Sequence, residues 1–152
     1  MNIKIFTDGS CSGNPGPGGI GGVVLINDIV ESTYSVPISQ TTNNQTEILA
    51  AIYGINEVRS FVTENTVIEI YSDSKYVING ITEWIKNWKL KNWKTKGGSP
   101  VLNVELWTEL DRLNTSMNIN WYYVKGHDGH QYNEMADKLA REATANAKQS
   151  IK

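Results

Sequence analysis

Apolar and polar residues alternate at the start of the chain, with Ile3, Ile5 and Thr7 on one face and Lys4 and Phe6 on the other. A period of two predicts a strand over residues 2–7. Residues 9–22 are rich in Gly, Pro and Ser and predict a loop. GVVLIN at 22–27 and the stretch 31–36 predict a second and a third strand, with Asn27-Asp28 as the hairpin turn between them. The period then changes. Ile48, Leu49, Ile52, Ile55 and Val58 recur at helical spacing, which predicts a helix over 42–60 that Thr42, Asn43 or Asn44 can cap. VIEIY at 67–71 predicts a fourth strand ending at Ser72-Asp73, followed by a helix over about 74–88. A lysine-rich segment, a helix over about 103–113, a fifth strand at 119–124 and a closing helix at 133–147 complete the pattern.

Three strands in succession followed by alternating helices and strands predict an α/β fold. Its sheet is five-stranded and mixed: an antiparallel meander of three strands plus two parallel strands, flanked by helices. The fourth strand is reached by a crossover through the first long helix, so it should run parallel to a meander strand. The 152 residues suit one compact domain, 1–152, with the last few residues as a frayed tail.

Composition narrows the function classes. With 39% hydrophobic and 20% charged residues, the chain reads as an ordinary globular protein. Its N-terminus lacks the apolar run of a signal peptide, and no stretch suits a membrane span. One cysteine excludes an internal disulfide and a multi-cysteine zinc site. These features suit a cytoplasmic location. The net charge of −2 does not announce a nucleic-acid binder, but the distribution does more. Between Trp84 and Gly98 stand Lys86, Lys89, Lys91, Lys94 and Lys96, with no acid among them. Such segregation hides a basic patch inside an acidic average.

Four acids invite a closer look. Asp8 and Asp73 each follow a strand, and parallel neighbours in a sheet end on the same side, where sites gather. Each also has a plain alternative: Asp73 can accept bonds from the first turn of the next helix. Glu47 lies early in a helix, where the dipole favours an acid, yet it borders the buried face. Asp137 is four residues before Arg141, the spacing of a surface ion pair, and sits on the margin of the apolar stripe Met135, Ala136, Leu139, Ala140 and Ala143. Carboxylates brought together repel one another, and hard cations relieve that repulsion through oxygen ligands. Acids without a Cys or His cluster favour Mg2+, with Mn2+ possible, over zinc. Spacing alone does not show that the four converge.

The motifs around these acids resemble a known family. Thr7-Asp8-Gly9-Ser10 with Gly13-Asn14-Pro15-Gly16-Pro17-Gly18-Gly19 is similar to the opening motif of the ribonuclease H family, bacterial ribonuclease HI type. Thr42-Asn43-Asn44 with Glu47 and Leu49-Ala50-Ala51 resembles the second motif, and Ser72-Asp73-Ser74-Lys75-Tyr76-Val77 the third. Val124-Lys125-Gly126-His127, Gly129-His130, Asn133-Glu134 and Ala136-Asp137 resemble the last. The motifs keep family order from residue 7 to 137. The resemblance implies that Asp8, Glu47, Asp73 and Asp137 are metal-binding catalytic carboxylates. It implies that His127 assists proton transfer or product release. The expected reaction is two-metal-ion hydrolysis of the RNA strand of an RNA–DNA hybrid, leaving 5′-phosphate and 3′-hydroxyl ends, by an enzyme expected to be a monomer.

Sparing DNA requires reading the 2′-hydroxyl. The resemblance places Asn14, Asn43 and Asn44 at substrate contacts near the cut and Cys11 in a loop beside the RNA strand. It places Trp84 and Asn87 along a groove for the DNA strand, and Thr42 with Asn87 at a phosphate pocket. It implies that Lys89, Lys91, Lys94 and Trp93 belong to a basic protrusion that grips that strand. Gln45 departs from an arginine common in the family. Asn14-Pro15-Gly16 is also a good turn, and by composition alone the lysine segment is a solvated helix held down by tryptophans. Gly16, Gly18 and Gly21 fit G-x-G-x-x-G, but that fingerprint should open a helix, and a strand is predicted here. A DNA-cutting nuclease of the same broad fold and an inert hybrid-binding module are the rival readings.

Overall fold

The computed structural model describes residues 1–125 and 130–150. Its order is β1 (Asn2–Cys11), β2 (Gly16–Ile26), β3 (Ile29–Thr41), α1 (Asn43–Val58), β4 (Val67–Ser72), α2 (Lys75–Asn79), α3 (Ile85–Leu90), α4 (Val104–Ser116), β5 (Ile119–Tyr123) and α5 (Gln131–Ser150). The sheet order is β3-β2-β1-β4-β5. β1–β2 and β2–β3 pair antiparallel, while β1–β4 and β4–β5 pair parallel. The meander and the parallel pair are as expected from the element pattern.

Local chemistry explains the elements. Asn27 and Asp28 both take positive φ, 51° and 67°, as a tight hairpin turn requires. Thr42 caps α1 in a reciprocal box: its hydroxyl accepts from the Gln45 N–H, and the Gln45 side chain accepts from the Thr42 N–H. α1 packs on β1 and β2 and against α4, burying Ile48, Ile52 and Ile55 with Ile3, Ile5, Ile68, Ile70 and Trp107. α5 covers β1, β2 and β3, where Phe6, Val23, Leu25 and Ala136 form a smaller core.

Two expectations need correction. Residues 9–22 are not a loop: β1 continues to Cys11 and β2 begins at Gly16. Asp8 is therefore inside a strand, paired with Gly21, rather than beyond its end, and Cys11 closes a strand rather than lying in a loop. The glycines read as loop punctuation, but here they make room for helices packed on the sheet. The helix expected over 74–88 is interrupted. Between α2 and α3, residues Gly80–Trp84 form a π-helical turn. The Trp107 ring lies where a side chain on Gly80 would stand, its Cζ2 2.6 Å from that Cβ position. The extra residue in that turn rotates the helix beyond it.

Candidate metal centre and nucleic-acid surface

Glycines bring the acids together. A Cβ on Gly9 would stand 2.7 Å from the Thr46 carbonyl carbon and 2.8 Å from the Glu47 nitrogen. Bare backbone at Gly9 thus lets the first turn of α1 press onto β1, which sets Glu47 beside Asp8. Gly21, the partner of Asp8 on β2, does the same for α5: a Cβ there would lie 2.6 Å from the Ala136 carbonyl oxygen and 2.8 Å from Leu139 Cβ. That contact carries Asp137 toward Asp8. From the other side, Thr7 pairs with Ser72, so Asp73 leaves β4 next to Asp8.

Carboxylate oxygens of Asp8, Glu47 and Asp73 all lie within 4.8 Å of one another. Asp137 stands outside this tight trio, half-buried, its Oδ2 accepting from Arg141 Nε at 3.0 Å. Its charge nevertheless reaches Asp8 and Glu47. The plain reading of Asp137, an ion pair with Arg141, holds geometrically, and the tight trio does not include it. The capping alternative for Asp73 is taken by Ser74, whose Oγ accepts from the Val77 N–H.

Burial pushes the Asp8 carboxyl far above the usual carboxylate range, and the charges of Glu47, Asp73 and Asp137 add to the rise. Burial likewise raises Glu47, helped by the charge of Asp73 and opposed by hydrogen bonds from Gly9 and Asp8. Glu47 Oε1 is buried without a hydrogen-bond partner. Repelling acids and an orphaned buried oxygen are costly unless something positive supplies what they lack. A hard divalent cation fits this all-oxygen donor set.

The other expected site residues divide. Asn14 Oδ1 accepts from the Asn43 N–H at 3.0 Å, tying the β1–β2 turn to the exposed α1 N-terminus that carries Asn43 and Asn44. The Thr42 hydroxyl is engaged in its cap. The Cys11 thiol points at the Gly13 carbonyl, 2.8 Å away. Trp84, Asn87, Trp88, Lys91, Lys94 and Lys96 line a recess of about 240 Å³. Trp93 packs on Trp88, and Trp88 packs on Trp84 and Trp107, so the tryptophans brace the lysine-rich segment. Lys89 behaves differently from its neighbours: its Nζ pairs with Asp111 at 3.1 Å. His127 lies outside the described residues. A larger hollow of about 650 Å³ opens between residues 62–66 and 115–118, near the N-terminal end of β4. The acids gather at that strand's other end, away from the hollow.

Sequence reasoning missed the roles of Gly9 and Gly21, and it missed Gln45 as a structural hub. The Thr42-x-x-Gln45 spacing of a capping box was the available signal for the last.

Known proteins share this chain's sequence pattern and fold. The RNase H family model matches residues 1–145. A ribonuclease H from Rhizobium meliloti is 49% identical over 140 residues, covering 92% of this chain and 88% of the relative. A ribonuclease HI from Haemophilus influenzae is 49% identical over 144 residues, covering 95% and 90%. Among solved structures, the N-terminal RNase H domain of a Mycobacterium tuberculosis protein superposes with a TM-score of 0.78 at 28% identity, covering 100% of this chain and 99% of that one. LC11-RNase H1 in complex with an RNA/DNA hybrid gives a TM-score of 0.74 at 26% identity, covering 95% and 98%.

Proposed function

This chain belongs to the RNase H family, and from that premise we propose that Asp8, Glu47, Asp73 and Asp137 carry its ribonuclease H activity, endonucleolytic hydrolysis of the RNA strand of RNA–DNA hybrids. The observation that supports this site most directly is the trio of carboxylates within 4.8 Å, one with an unpartnered buried oxygen. These residues would hold divalent cations, Mg2+ or alternatively Mn2+, two of them during the reaction. When bound, such ions neutralise phosphate charge and polarise the P–O bonds.

The chain's own residues supply position and selectivity. Asp8 is held by the backbone N–H of Gly9, which donates to Oδ1 at 2.9 Å, so its other oxygen keeps a fixed aim. Glu47, buried at the base of α1, has little rotational freedom. Asn43 and Asn44, exposed at the α1 N-terminus, can donate and accept hydrogen bonds and so suit the RNA 2′-hydroxyl. Asn14 steadies that terminus, and Cys11 and Thr42 flank it. Lys91, Lys94, Trp84, Trp93 and Asn87 suit the DNA strand, with Lys89 a lesser contributor because of Asp111. Water adds to phosphorus, the 3′-oxygen leaves, and the products carry 5′-phosphate and 3′-hydroxyl ends. His127 would serve proton transfer or product release, since an imidazole can act as acid or base. The reading extends to one domain over 1–152, supported by a single sheet that holds all five strands, and to a monomeric cytoplasmic enzyme.

A labelled RNA strand annealed to DNA tests the proposal. We expect divalent-metal-dependent cutting of the RNA with duplex DNA spared. Equal cutting of duplex DNA, or tight binding without cutting, overturns it.

A further inference from the structure

Three aromatic rings stand in a column across the sheet. Phe6 on β1 pairs with Tyr71 on β4, and Tyr71 pairs with Tyr122 on β5. The Phe6 and Tyr71 rings stack with centroids 4.6 Å apart at an interplanar angle of 11°, and Tyr71 and Tyr122 at 5.2 Å and 21°. His130 and Tyr132, around the start of α5, close the column at Phe6. The other end is open. β5 is the last strand of the sheet, Tyr122 is 42% exposed, and Tyr71 is the only ring against it among the described residues. Cross-strand packing accounts for the inner face of Tyr122 and leaves the outer face to solvent.

The column lies beside the acids. Phe6 stands two residues before Asp8 on β1 and shares its face of the sheet, so the rings sit about 7 Å along the strands from the acids. The Val124 N–H donates to the Ser72 carbonyl at 2.8 Å, which sets Lys125 beside the strand end that carries Asp73. Lys75 Nζ stands 5.7 Å from the centre of the Tyr123 ring, on the opposite face of β5. Lys75 and Lys125 are exposed, and neither has an ion pair among the described residues. Outward from the acids, this edge therefore offers two cations and then an open ring face. A single strand needs those parts in that order: cations for phosphates, then a ring for a base, whose π-face stacks whatever its sequence. The column is stiff beforehand, since the Tyr71 hydroxyl donates to Glu69 at 3.0 Å.

We propose that Tyr122 is a stacking site for an unpaired base of the RNA strand, where that strand runs past the end of a hybrid. This rests on the functional reading above, which puts the RNA strand against the acids. An RNA overhang, rather than a DNA overhang, is then the strand that reaches the edge of β5.

The test compares Kd in EDTA for a labelled blunt hybrid and for the same hybrid with a short RNA overhang, at the 5′ end in one substrate and the 3′ end in another. One polarity should bind about tenfold tighter than blunt, the worth of one stacked base. An abasic overhang, which keeps the phosphates and loses the rings, should gain less than about twofold. In Tyr122→Leu the ratio of blunt to overhang Kd should fall to the abasic level, and in Tyr122→Trp it should persist. The blunt Kd of each variant reports whether it still folds and binds. No gain at either polarity, a gain kept by the abasic overhang, a gain kept in Tyr122→Leu, or an equal gain from a DNA overhang each overturns the proposal. Should Tyr122→Leu fail to fold, the abasic comparison on the wild-type protein is the deciding one. A wild-type protein that neither binds nor cuts blunt hybrid sinks the functional reading instead.

Discussion

Asp8 concentrates the electrostatic cost of the site. It is buried, it faces three other acids, and the N–H of its neighbour Gly9 donates to it. Replacing it with Asn keeps the shape and removes a group that ionises freely only in the unfolded chain. We expect Asp8→Asn to lose on the order of a thousandfold or more in hybrid cleavage, since several kcal/mol of transition-state stabilisation would depend on the cation proposed to bind there. The same variant should be more stable than wild type without metal at pH 8, by on the order of 1 kcal/mol. Wild-type cleavage, or a lower metal-free Tm at that pH, contradicts this assignment. The pH trend has a definite sign. Asp8 and Glu47 ionise above their ordinary values of 3.8 and 4.5 when folded, so the native state holds more protons than the unfolded chain. Stability of the metal-free protein is then fully present below about pH 4 as far as these two groups decide it. It is lost progressively as pH rises from there to the folded values, about 8 for Glu47 and about 10 for Asp8. Thermal melts in EDTA from pH 5 to 8.5 should show Tm falling for wild type and falling less for Asp8→Asn.

At the scale of elements, the site depends on how closely helices approach the sheet. Gly21 seats the Ala136–Ala140 turn of α5 against β2. Gly21→Ala forces a methyl against the Ala136 carbonyl and the Leu139 side chain, and should cost about 1–3 kcal/mol. Because α5 carries Asp137, activity should fall with it, beyond what the remaining folded fraction explains. Full activity in that variant would show that the seating of α5 is not critical. The basic protrusion gives a second element-level expectation. Lys91 and Lys94 line the recess, whereas Lys89 is paired with Asp111. Lys91→Ala and Lys94→Ala should each reduce the slope of log Kd against log salt by about 1, and Lys89→Ala by less. Equal effects for all three mean that the Lys89–Asp111 pair opens on binding.

For the molecule as a whole, five strands, one helix on one face and the rest on the other place four acids from distant parts of the chain at one end of the central strands. Divalent metal should bind the folded protein and not the unfolded chain, since the acids meet only after folding. At a hundredfold excess over Kd that adds about 2.7 kcal/mol. Melts with and without Mg2+ at pH 8 measure it directly. A Tm indifferent to Mg2+ argues against a formed cation site, and in Asp8→Asn the increment should shrink.

By itself, the sequence settled the order of elements, because a period of two and a period of 3.6 are written in side-chain spacing. It also carried the Asn27-Asp28 turn, a helix cap among Thr42, Asn43 and Asn44 that the structure assigns to Thr42, and the motifs that name the family. Those features depend on residues near one another in the chain or on pattern alone. Only the tertiary structure decided that residues 9–22 are mostly strand. A glycine's lack of a side chain reads as flexibility until a helix is seen pressed against it, as at Gly9 and Gly21. Tertiary structure likewise gathered Asp8, Glu47 and Asp73 within 4.8 Å, left Asp137 at the rim, engaged Lys89 with Asp111 and stacked Phe6, Tyr71 and Tyr122 across three strands. Each is a meeting between segments far apart in sequence, and a linear pattern holds no distance for such pairs.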